Sequence, residues 1–158
     1  MQKNNGVRVL RWIKSQGVIF YAGKEERKTA KNYLREMPAI FPELFSMLNA
    51  IYLYRMSEQT DKIHDGEMWR DVTTDGMGTL YAIGLSLEAI SAGRKYLQSI
   101  FIHELAHVIT PEEDDEHGPL FLKNQNKLLE RYNEITGSNL TNDGDAPGSP
   151  RTAPEREL

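Results

Sequence analysis

The sequence predicts a compact single α+β domain over residues 1–136, with 1–23 as an N-terminal extension and 137–158 as a disordered tail. Three observations predict it. The chain has 158 residues, 39% apolar and 27% charged, which suits one hydrophobic core and leaves little for a second. Gly- and Pro-free stretches of helical periodicity are interleaved with short β-branched and aromatic runs. The last 22 residues, Gly137 to Leu158, carry three Gly and three Pro among Ser, Thr, Asn and Asp, with Leu140 the only large apolar residue before Leu158. Such a segment buries too little apolar surface to offset the entropy of ordering it.

Taken in order, Val7 to Ala22 has two apolar runs and is expected to hold a strand or two. Lys24 to Met37 predicts a helix, because Ala30, Tyr33, Leu34 and Met37 recur at helical spacing, with Pro38 ending it. Pro42 suits the first turn of a further helix through Phe45 and Leu48. Ile51-Tyr52-Leu53-Tyr54 is either a strand or the continuation of that helix. Ser57 to Gly78 is polar, and His64-Asp65-Gly66 and Thr74-Asp75-Gly76 mark turns. Thr79 to Ser86 predicts a strand. Arg94 to Thr110 predicts a helix closed by Pro111, and Pro119 to Thr136 a last helix closed by Gly137.

Composition excludes several classes. There is no cysteine, so no disulfide framework, zinc ribbon or thiol nucleophile is available, and any metal site must use His, Asp and Glu. No run approaches the roughly 18 apolar residues of a membrane span. The longest near the N-terminus, Val18 to Ala22, is too short for a signal-peptide core. These features predict a cytoplasmic protein, monomeric and without a membrane partner. Net charge is −4, yet residues 1–35 hold nine Lys/Arg against Glu25 and Glu26, and the remainder holds 10 basic and 21 acidic residues. A solvated helix face accounts for the basic third. Nucleic acid is a less favoured partner, because no recognition motif accompanies the charge.

The chemistry is concentrated at His103-Glu104-Leu105-Ala106-His107. With four His and 15 Glu in the chain, H-E-x-x-H arises by chance about once in a hundred such compositions. Residues four apart share a helix face one turn (~6 Å) apart, so the two imidazoles can converge on one ion. At about 100° per residue Glu104 falls beside them. From Tyr96 to Ile109 the only titratable groups apart from Tyr96 are these three, so the helix is expected to be buried nearly all round, where a charged glutamate is costly without a partner such as a divalent cation. Zinc (Zn2+) in a catalytic site takes three protein ligands and keeps a position open. Ten residues on, His117 precedes Gly118 and Pro119, which places it at the mouth of the last helix. Glu130 and Glu134 are alternative third ligands, and His64 a minor one. Glu112-Glu113-Asp114-Asp115-Glu116, between the ligands, is a solvated loop or a rim favouring basic substrates.

His103-Glu104-Leu105-Ala106-His107 followed by His117-Gly118-Pro119-Leu120-Phe121 resembles the SprT-like and related minimal zincin metallopeptidases, which include small proteins of bacteria and their viruses. Their pattern is H-E-L-x-H, a variable loop, then H-G-x-x-F. The resemblance covers roughly residues 45–136 and is specific at the two motifs. It implies a zincin-like fold with a small, mostly antiparallel sheet whose edge strand, here Thr79 to Ser86, lies beside the central helix. It also implies that His103, His107 and His117 bind zinc and that Glu104 is the general base. The family's frequent C-terminal zinc ribbon has no counterpart in a chain without cysteine. The expected activity is hydrolysis of a peptide or protein substrate lying antiparallel to the strand around Tyr81 to Leu85. Tyr81, Tyr96 and Tyr132 are candidate oxyanion donors. The alternatives are a catalytically inactive zinc-binding module and a zinc amidase acting on a small molecule.

Overall fold

The computed structural model describes residues 23–55, 64–72, 76, 78–111 and 117–141. The expected strands within Val7 to Ala22, the acidic run 112–116 and the tail beyond 141 lie outside them. Helix α1 spans Lys24–Tyr33, with Glu25 and Glu26 in its first turn and Lys31 in its last, charges that complement the helix dipole. It ends earlier than the periodicity predicts. The chain turns through residues 34–36, and Pro38 sits in the first turn of a separate short helix, α2 (Met37–Ile40), where its missing N–H costs nothing. Helix α3 follows (Pro42–Phe45), and then strand β1 (Ala50–Tyr54), which decides the ambiguity of that run in favour of a strand.

Strand β2 (Gly66–Val72) lies inside the segment expected to be loop, and β3 (Thr79–Ser86) is where the pattern places it. The sheet order is β1-β3-β2. β1 runs parallel to β3, with Ile51 opposite Ile83, and β2 runs antiparallel to it, with Trp69 opposite Ala82. The sheet is therefore mixed rather than mostly antiparallel, and Thr79–Ser86 is its central strand, not an edge. The edge nearest the H-E-x-x-H helix is β2.

The short helix α4 (Leu87–Ser91) and the long α5 (Arg94–Ile109) lead to α6 (Pro119–Thr136). Ser86 caps α4 by accepting from the Ala89 N–H at 2.9 Å. α5 is the centre of the molecule. It packs on β2 and β3 on one side and on α6 on another, and every residue from Leu97 to Ala106 except His103 is buried, as its composition predicts. Gly137 closes α6 in the left-handed conformation (φ 74°) that glycine adopts without steric cost. The segment beyond it is not wholly solvated. Leu140 is 5% exposed, and Asn133 exchanges two hydrogen bonds with its backbone, at 2.9 and 2.8 Å. Among the described residues no helix is long and apolar enough to cross a membrane.

Candidate metal centre

His103 and His107 project from consecutive turns of α5, and His117 stands just before α6. One ligand atom from each lies within 4.8 Å of the others. The ring centroids are 5.0 Å apart for His103–His107, 5.0 Å for His103–His117 and 5.1 Å for His107–His117. Phe121, in the first turn of α6, underlies all three. It stacks on His107 at 4.3 Å and meets His103 and His117 edgewise at 4.9 and 5.0 Å. The α5–α6 packing thus brings the two motifs of the sequence together, with the phenylalanine as the apolar floor that fixes the rings.

The donor set suits a metal. Gln125 Oε1 lies 2.8 Å from His103 Nδ1. With that oxygen accepting, Nδ1 carries the proton and the Nε2 lone pair is directed inward, the arrangement that outer partners of metal-ligating histidines enforce. His103 Nε2 is 3.2 Å from His117 Nε2. Two nitrogens bound tetrahedrally to zinc at about 2.05 Å lie about 3.3 Å apart. Burial, then the neighbouring charges of His103, His117 and Arg70, lowers the His107 pKa to about 3, so this imidazole stays neutral, the form that ligates. Glu130 and Glu134 are exposed on α6 and do not belong to the cluster, and His64 is exposed ahead of β2 with its carbonyl accepting from Tyr54 at 2.5 Å.

Glu104 is 5% exposed and faces the start of β2. A Cβ on Gly66 would lie 3.1 Å from Glu104 Oε2 and 2.6 Å from Ile100 Cγ2, so glycine is what permits the strand to approach the glutamate so closely. Further along β2, Arg70 Nη2 donates to the carbonyls of His107 (2.9 Å) and Thr110 (3.3 Å). These are among the carbonyls that a helix C-terminus leaves without intrahelical partners. Thr110 Oγ1 donates to the Ala106 carbonyl at 2.6 Å and accepts from Asn124 of α6 at 2.9 Å. The end of α5 is therefore fixed from both sides at the turn that carries His107.

Residues that sequence reasoning missed are Gln125, Arg70, Gly66 and Asp65. Asp65 is buried, with its carboxylate accepting from Ser86 Oγ at 3.0 Å and from the Tyr96 hydroxyl. Tyr96 is thus engaged with Asp65, while Tyr132 donates to Glu36 at 3.5 Å and Tyr81 lies under the Arg70 guanidinium at 5.6 Å. Only Gln125 carries a signal, as a polar residue on the same helix stripe as Phe121, Leu128 and Tyr132, three buried positions. No protein-family model, curated protein or solved structure matches the chain.

Proposed function

We propose that the chain is a zinc-dependent metallopeptidase of the zincin type, with His103, His107 and His117 as metal ligands and Glu104 as general base. The observation that carries the reading is the convergence of three imidazoles within 4.8 Å on a helix whose one buried carboxylate between the first two ligands is Glu104. Zinc held there supplies a Lewis acid and lowers the pKa of water towards ~7. Glu104 accepts the proton of the attacking water and delivers it to the leaving amine. Its burial against Gly66 of β2 holds the carboxylate at one place. Gln125 and Phe121 orient the imidazoles, and Arg70 holds the helix end on which His107 sits. The substrate strand pairs with the outer edge of β2, where no described strand competes, rather than with Thr79–Ser86, whose two sides are both occupied.

The test combines metal analysis with one substitution. Tag-free protein should contain about one zinc per chain. Glu104→Gln should retain it, while hydrolysis of casein or of a peptide library falls by about 10²–10⁴-fold. Equal cleavage by wild type and Glu104→Gln would assign the activity elsewhere. Stoichiometric zinc with no cleavage of any peptide would make the chain a binding module.

A further inference from the structure

A second feature lies on the other edge of the sheet, away from the histidines. A groove of about 310 Å³ runs between α1 and β1, floored by Leu34, Phe45, Ile51 and Leu53. Arg27 and Lys31 of α1 and Arg35 just beyond it form the cationic rim, and no acidic residue lines the groove. Arg27 and Lys31 fall at i and i+4, one turn (~6 Å) apart on α1, and Arg35 continues the ridge in the turn that follows the helix. Among the described residues none of them has an ion-pair partner. Ile51 is 38% exposed, an apolar side chain left open in the groove floor. β1 is an edge, and no described strand pairs with its outer side.

We propose that this groove is a docking site for an extended acidic segment of a partner protein, added alongside β1 and anchored by apolar side chains, independent of the metal centre. Each component selects for that chemistry. An open edge offers main-chain donors and acceptors to an extended peptide. Side chains on one face of such a peptide recur every ~6.6–6.8 Å, close to the repeat of the cations on α1, so carboxylates on that face can meet the ridge while neighbouring leucines or valines cover the floor. Other occupants fit less well. The chain's own first 22 residues carry Lys3, Arg8, Arg11 and Lys14 and no acid, which the ridge repels. A second copy pairing β1 with β1 would bring two cationic ridges together. A nucleic acid would find an apolar floor beneath the cations where a charged groove is needed.

The experiment uses the full chain and a fluorescein-labelled extended peptide of alternating glutamate and leucine, so that glutamates on one face recur every ~6.6–6.8 Å. Anisotropy should report binding at about 10–100 µM, weakened several-fold by raising salt from about 0.15 to 0.5 M. The same peptide with lysine for glutamate, or with serine for leucine, should not bind. Reversing the ridge with Arg27→Glu, Lys31→Glu and Arg35→Glu together, all exposed positions on the groove rim, should weaken binding by about tenfold or more. Ile51→Asp should do the same through the floor. Amide chemical shifts should move at Ile51 and Leu53 and not along Gly66–Val72. The proposal is overturned if the glutamate and lysine peptides bind alike, if the triple variant binds as wild type, or if the shifts cluster on β2. It is equally overturned if decanoate fills the groove and no peptide does, or if sedimentation finds a dimer that the triple variant abolishes.

Discussion

Replacing Gln125 by methionine removes the acceptor for His103 Nδ1 while keeping the length and nearly the volume of the side chain, so packing around this 3%-exposed position changes little. In the wild type the 2.8 Å contact to Oε1 selects the tautomer with the proton on Nδ1 and leaves Nε2 to coordinate. In the variant that N–H has no partner when the ring is held in the ligating orientation, a cost of about 1–3 kcal/mol for a buried donor. At 1.4 kcal/mol per factor of ten this corresponds to about 5- to 150-fold in zinc affinity, which brackets the 10–100-fold typical of losing an outer partner of a metal-bound histidine. A competition titration of tag-free protein against a chromophoric zinc chelator reads it directly. Gln125→Glu should keep affinity within about tenfold of wild type, because a carboxylate accepts from Nδ1 at least as well. Wild-type affinity in Gln125→Met would refute the tautomer argument, and equal losses in the methionine and glutamate variants would show that packing rather than the acceptor matters.

Further expectations concern the third ligand, the close backbone approaches, the C-terminal segment and pH. His117→Ala should lower zinc affinity by orders of magnitude in the same titration, whereas Glu130→Ala and Glu134→Ala leave it unchanged. Gly84→Ala places a Cβ 2.3 Å from Tyr52 Cζ, and Gly66→Ala one 2.6 Å from Ile100 Cγ2. Each should cost about 1–3 kcal/mol in chemical denaturation, and Gly66→Ala should also impair hydrolysis by shifting Glu104. Leu140→Ala should cost about 2 kcal/mol, and cutting the chain after Gly137 at least as much, measured as a lowered denaturation midpoint. Glu43 is held at a pKa of about 2, chiefly by its hydrogen bond from Arg131. Because the folded value lies below the ordinary 4.5, the ion pair stabilises the fold above that pH and the contribution is lost as pH falls towards 2. Glu43→Gln should therefore differ from wild type in denaturation at pH 7 and match it near pH 2, with a small gap, since the pair is exposed and screened by salt.

The elements that local physics dictates were legible in the sequence. α6 begins at Pro119 and ends before Gly137 because proline and glycine are positional signals, and α5 is marked by a Gly- and Pro-free, mostly apolar stretch from Tyr96 to Ile109. β2 was not, because Gly66-Glu67-Met68-Trp69-Arg70-Asp71-Val72 shows no apolar alternation. Glu67 and Trp69 contact each other and the Tyr52 hydroxyl on one face, while Gly66 and Arg70 on the other serve α5 by close approach and carbonyl capping. Its seven-residue pairing with β3, a tertiary fact, makes it a strand. The three histidines were legible because their spacing is local. Arg70 and Gly66 act on α5 from more than 30 residues away, and no periodicity reports such a partner.

That difference in sequence distance bears on the order in which the molecule assembles. His103, His107, His117 and Gln125 all lie within a span of 23 residues, so the chain that must close to gather them is short and its entropic cost small. Glu104 acquires the wall at Gly66 only when the β2–β3 pair has docked on α5, more than 30 residues along the chain, a less local step that is intrinsically slower. A chain in mild denaturant, with the sheet open and the α5–α6 pair intact, retains the ligands and loses the wall against which the glutamate is held. Metal capture and hydrolysis should accordingly separate along the unfolding curve, with hydrolysis lost at the lower denaturant concentration.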